Sequence, residues 1–154
     1  MKFEEGQRAN RALNKITKTY RAVQARKLGV IGLHPGQDVL VWVLAQEPAG
    51  MTVSQLAIRL GVEPPTATRS LTRMEPTGLF TREPVEGDRR QVRIVLTTRA
   101  RELVPEIERV WAELAREAFG HLDRSQRDDV VAALESAVDA WLPGLDEAVL
   151  AGES

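Results

Sequence analysis

Between residues 4 and 28 the apolar positions Leu13, Ile16, Tyr20 and Val23 recur every three or four residues among polar neighbours. That is the stripe of a long surface helix, and Gly29 and Gly32 mark its expected end. Pro35 suits a first helical turn and opens a short second helix bearing Val39, Val41, Trp42 and Leu44, with His34 at its N-cap. The stretch Glu47-Pro48-Ala49-Gly50 reads as a loop. Thr52 then serves as N-cap to Val53, Leu56, Ala57 and Leu60, spaced i, i+3, i+4, i+7, before Gly61 stops the helix. Pro64-Pro65 starts another helix, since proline is tolerated in a first turn, and it runs to about Glu75, where Pro76 and Gly78 end it.

After Gly78 the hydrophobic period changes from 3.6 to 2. Leu79 to Arg82 and Val92 to Leu96 are predicted strands, joined by the polar loop Glu83 to Gln91 with Pro84 and Gly87 inside it. Two long helices follow. The first carries Leu103, Ile107, Val110, Trp111, Leu114 and Ala118 on one face. The second opens at Asp123, with Gln126 three residues on as a capping box, and carries Val131, Leu134, Val138, Trp141 and Leu145 until Pro143-Gly144 kinks or ends it. Two short helices around a glycine turn, followed by a β-hairpin, form a winged helix-turn-helix. The expected fold is therefore mainly α, with a small β-hairpin wing and long N- and C-terminal helices. The expected organisation is a winged-helix lobe over residues 35–101, flanked by a helical region of residues 1–34 and 102–154.

Composition excludes more than it adds. The chain of 154 residues has no cysteine, which removes disulfides, thiol redox chemistry, cysteine nucleophiles and Cys-ligated zinc. Its two histidines, His34 and His121, lie far apart, and no P-loop, GxSxG or GxGxxG occurs, so neither metal, cofactor nor enzyme activity is expected. No apolar run approaches the ~20 residues of a membrane span, and the start MKFEEGQRAN lacks a signal-peptide core. A cytoplasmic location and no membrane partner are expected. The net charge of −1 hides an asymmetry: residues 1–63 and 64–101 are each +4, whereas residues 102–154 are −9. Basic segments ahead of an acidic one suit a protein whose middle meets a polyanion, although acidic surface helices are also common in soluble proteins.

At 100° per residue, Ala67, Leu71 and Met74 share the face of helix 64–75 that packs inward. Thr66, Arg69, Thr72 and Arg73 lie opposite. Such a face can enter a major groove, with arginine bonding guanine and threonine meeting phosphate or a thymine methyl. A merely solvated face, or a winged-helix protein-interaction module that does not bind DNA, is the alternative for the helix by itself, which favours DNA. Asp88-Arg89-Arg90 at the hairpin turn favours DNA, because adjacent arginines on a thin loop suit a minor groove and Asp88 can pair with one of them.

The stretch from Thr52 to Arg101 resembles the winged helix of the MarR family of bacterial transcription factors. The resemblance rests on Thr52-Val53-Ser54-Gln55-Leu56-Ala57, on Pro64-Pro65-Thr66-Ala67-Thr68-Arg69, on Met74-Glu75 with Gly78-Leu79, and on Asp88-x-Arg90 followed by Leu96-Thr97. Leu33-His34-Pro35-Gly36-Gln37 extends it toward the N-terminus. The resemblance implies an obligate homodimer with intertwined terminal helices. It also implies a pseudo-palindromic DNA operator and, usually, repression relieved by a small anionic or phenolic effector. By position it assigns Thr66, Thr68, Arg69 and Arg73 to the major groove, and Arg89 and Arg90, with Asp88, to the wing. Three positions depart from the family pattern: Pro76-Thr77 for a charged pair, Ala100 for a glycine, and Asp38 where an aromatic residue is common near the ligand pocket. Tyr20, Asp38, Trp42 and Trp111 are the candidate effector contacts, although each of the three aromatics sits in an apolar stripe that core packing explains more readily.

Overall fold

The computed structural model describes residues 2–85 and 88–142, with Asp88, Arg89 and Arg90 as backbone only. Helix α1 spans Phe3–Val30 and α2 spans Gln37–Ala45. The two-residue strand β1 (Met51–Thr52) leads into α3 (Val53–Leu60) and α4 (Pro64–Met74). Strands β2 (Phe80–Val85) and β3 (Asp88–Leu96) follow, then α5 (Thr98–Glu102), α6 (Val104–Phe119) and α7 (Arg124–Trp141). The sheet is antiparallel in the order β1-β3-β2.

One core joins the lobe to the end of the first helix. Leu28, Leu40, Leu44, Leu56, Leu71, Ile94 and Ile107 are fully buried in it, drawn from α1, α2, α3, α4, β3 and α6. Such side chains typically contribute about 1.5–3 kcal/mol each when removed from water. Leu28 is the one buried residue of α1 among those described, and α7 has none. The stripe read on α7 is present but uncovered: Val131, Leu134, Val138 and Trp141 are between 40% and 54% exposed. Ile16 and Tyr20 on α1 are similarly bare.

The capping signals form as read. Thr52 accepts the Gln55 backbone N–H at 3.3 Å while Gln55 Oε1 accepts that of Thr52 at 2.9 Å, closing a capping box. Asp123 and Gln126 do the same for α7. Thr52→Ala removes an acceptor for an otherwise orphaned helix N–H and is expected to lower stability by about 1 kcal/mol. A denaturant midpoint unchanged from wild type at equal slope would show that the cap contributes nothing.

Several boundaries differ from the expectation. Helix α1 runs on through Gly29 to Val30. Helix α2 begins at Gln37, two residues beyond Pro35, because Gly36 adopts φ +92°, a conformation that favours glycine, and donates its N–H to Asp38 Oδ1 at 2.9 Å. His34 is consequently no N-cap; its N–H donates to Gln37 Oε1 at 2.9 Å. Helix α4 stops at Met74 and tightens into a 3-10 turn, Glu75–Thr77, in which Thr77 Oγ1 donates to Met74 O at 2.6 Å. Pro76 lacks the N–H that would extend the helix.

The hairpin arms are longer than the alternation suggested. Glu83 to Val85 and Asp88 to Gln91 belong to strands, not to a loop. Pairing is regular from Phe80↔Leu96 to Pro84↔Val92 and then steps to Val85↔Asp88, so residues 89–91 sit on β3 opposite a single step of β2. Such bulges bend a strand and re-aim it. The expectations for Gly87, for the side chains of Asp88, Arg89 and Arg90, and for Pro143, Gly144 and Leu145 fall outside the described residues. Strand β1, pairing Met51↔Ile94 and Thr52↔Arg93, and the short helix α5 were not anticipated.

Candidate nucleic-acid interface and interlobe junction

The recognition face is set by the burial of α4. Ala67, Leu71 and Met74 pack inward at 1%, 0% and 7% exposure, which turns Thr68, Arg69, Thr72 and Arg73 outward and leaves Thr66 half-buried. No partner for the Arg69 or Arg73 guanidinium occurs among the described residues. Both remain available to an external acceptor, and guanidinium forks match guanine and phosphate. The threonines are more constrained. Thr68 Oγ1 donates to Pro64 O at 2.9 Å and Thr72 Oγ1 to Thr68 O at 3.0 Å. Their hydroxyl protons are committed to the helix, so in this rotamer they offer an acceptor oxygen and a methyl group, not a donor to phosphate.

The helix is tied to the wing by polar contacts that the sequence did not disclose. Arg82 Nε on β2 bonds Glu75 Oε1 at 3.2 Å, just beyond the end of α4. Thr97 Oγ1 donates to Gly78 O at 3.0 Å and accepts the Ala100 N–H at 3.3 Å, joining the elbow to α5. The sheet backbone places Asp88, Arg89 and Arg90 on β3 at the bulge.

The four candidate effector residues do converge, at the junction of α1, α2 and α6. Trp42 and Trp111 pack with ring centroids 5.6 Å apart and planes tilted by 52°. Trp111 Nε1 donates to Asp38 Oδ2 at 2.8 Å, and Trp42 Nε1 to Glu108 Oε1 at 3.4 Å. Tyr20 is half-exposed nearby; burial, followed by the charge of Asp38, raises its pKa. Asp38 itself is wholly buried and accepts from Gln24 Nε2 at 3.3 Å and from the Gly36 N–H as well. Its oxygens are occupied by the chain's own donors. Gln24 and Glu108 were missed because neither breaks the polar pattern of its helix.

Beside this cluster Lys27 of α1 reaches Glu117 at 2.8 Å and Glu113 at 3.2 Å on α6, and Glu113 also meets Arg109. The bond to Glu117, foremost, raises the Lys27 pKa, while Lys27 and then Arg109 lower that of Glu113. An open cleft of about 280 Å³ lies elsewhere, lined by Glu47, Gly50, Met51, Gln55, Arg59 and Arg93, none of them a candidate site residue from the sequence. No cluster of metal-ligating groups is present among the described residues, and no described helix is long and apolar enough to cross a membrane.

The architecture is that of a winged helix-turn-helix protein, with this polar face exposed on α4. Residues 33–92 match the family model described as the MarR family. Over that segment the chain is similar to the MarR family. Known structures share the fold at low identity. A MarR transcriptional regulator from Methanosarcina mazei Go1 aligns with a TM-score of 0.69 and 22% identity over 90% of this chain and 99% of its own. The DNA complex of S. aureus MepR gives 0.73 and 21% over 85% and 96%. Bordetella bronchiseptica BpsR, whose DNA binding is regulated by 6-hydroxynicotinic acid, gives 0.71 and 20% over 84% and 92%.

Proposed function

We propose that this protein is a homodimeric repressor that binds a pseudo-palindromic operator through α4 and the wing, and that a small-molecule effector releases it. The observation that carries the DNA-binding part is the outward face of α4, where two arginines with no partner among the described residues stand beside two threonines. The similarity of 85% of this chain to a protein solved in complex with DNA supports it. Dimerisation is assigned to residues 1–34 and 102–154, on the strength of the uncovered stripes of α1 and α7. The effector is assigned to the half-open aromatic junction of Tyr20, Trp42 and Trp111. The neighbouring Asp38 carboxylate disfavours an anion there.

Binding of two variants to a panel of inverted repeats at several salt concentrations tests the interface. Arg69→Ala is expected to lose about 1–3 kcal/mol per contact and to relax base preference at one position in each half-site. Arg90→Ala is expected to weaken binding on most sequences and to flatten its salt dependence, because fewer counterions are released. An unchanged affinity and salt slope for Arg90→Ala on every sequence removes the wing from the interface. A wild-type protein that shifts no DNA at low salt leaves the interaction module as the correct reading.

A further inference from the structure

Asp38 is the one charged side chain in the described core, and nothing in the packing alone calls for it. A buried carboxylate is expensive unless hydrogen bonds satisfy it, and an apolar residue of similar volume often packs as stably. What the carboxylate adds is direction. Its Oδ2 accepts from Trp111 Nε1 on α6 at 2.8 Å and from Gln24 Nε2 on α1 at 3.3 Å. Its Oδ1 accepts the Gly36 N–H and so fixes the start of α2. One side chain therefore ties the first helix of the DNA-binding lobe to two long helices outside it, α1 and α6. The Lys27 ion pairs, by contrast, join α1 only to α6.

We propose that Asp38 is a positioning residue that sets the angle between the DNA-binding lobe and the dimer helices, and so the half-site spacing the protein accepts. The inference rests on the dimeric operator reading above. Adding one base pair between half-sites increases their separation by about 3.4 Å and rotates one about the axis by roughly a tenth of a turn. A dimer tolerates that change only if its lobes can reorient, and hydrogen bonds from two elements to one buried oxygen resist reorientation more than apolar contact does.

The experiment compares affinity for one inverted repeat at its preferred spacing with the same half-sites moved one base pair closer or farther. Asp38→Asn exchanges one acceptor oxygen for a donor among donors, and Trp111→Phe removes the shortest bond while keeping an aromatic ring. In each variant the ratio between preferred and shifted spacing is expected to fall about tenfold, the scale of one lost bond to a charged group. Arg109→Ala, whose ion pairs stay within α6, is expected to keep the wild-type ratio. A residue that merely stabilised the fold would weaken all spacings alike and leave the ratio intact. A dimeric Asp38→Asn protein with the wild-type ratio overturns the proposal. Should that variant fail to fold, Trp111→Phe decides by the same criterion. Wild-type protein that binds no inverted repeat at any spacing refutes the operator reading itself, a separate result.

Discussion

Placing glutamate at Leu134 and Val138 together is expected to yield a folded monomer with little affinity for an inverted repeat. Both side chains lie on the uncovered stripe of α7, at 40% and 51% exposure, and neither contributes to the core of its own chain. Burying four half-exposed apolar side chains per copy, twice across a two-fold axis, is a large part of what could hold two such chains together. Each glutamate would enter the interface twice, adding an unpaired charge where an alkyl group was. The dimer should weaken by at least about 100-fold, or roughly 2.7 kcal/mol. Light scattering at micromolar concentration should then report about 17 kDa for the variant and twice that for wild type. Because α7 lends no buried residue to the lobe, the cooperative melting of the lobe should persist. A dimeric variant would show that the stripe is not the interface.

Gly50→Ala is expected to have the largest effect on stability. Gly50 has φ +79°, and a β-carbon there would lie 2.6 Å from Val95 Cγ2 and 2.7 Å from the Ile94 carbonyl oxygen. The first neighbour is a side chain, but the second is the backbone of the central strand and cannot yield without disturbing the pairing of β1. Left-handed strain of about 1–2 kcal/mol adds to about 1–3 kcal/mol for forced displacement in a packed site. The surrounding loop has no slack either, since Arg93 bonds Ala49 O at 3.4 Å and Arg101 bonds Pro48 O at 3.1 Å. Urea unfolding should therefore show a loss of about 2–5 kcal/mol. A loss under about 0.5 kcal/mol would mean the loop relaxes freely.

The contrast between what was and was not legible follows the range of the interactions. Helices α3 and α4 were readable because Leu56, Ala57, Ala67 and Leu71 obey a local period and Thr52, Gly61 and the proline pair mark the ends within a few residues. The outward face of α4 followed from the same period. Strand β1 has only two residues, too few for any period, and exists because Ile94, far along the chain, pairs with Met51. The first wing arm was underestimated because Glu83 and Pro84 continue the polar run of Thr81 and Arg82 without alternation; β3 holds them in register regardless. Asp38 was identified as a departure, yet its burial depends on donors that arrive from α1 and α6 through the tertiary fold. The elbow bond between Arg82 and Glu75 was invisible for a similar reason, since exposed charged residues give no pattern of their own.

The placement of the three tryptophans divides the intrinsic optical signal of the protein between two structural events. Trp42 and Trp111 form a tilted pair at the junction of lobe and long helices, close enough for their indole transitions to couple. Trp141 lies on the bare stripe of α7. Dilution should therefore change the emission of one chromophore, while strain at the junction changes the near-ultraviolet dichroism of the other two. Assembly and lobe movement can thus be followed separately, in the unlabelled protein, within one titration.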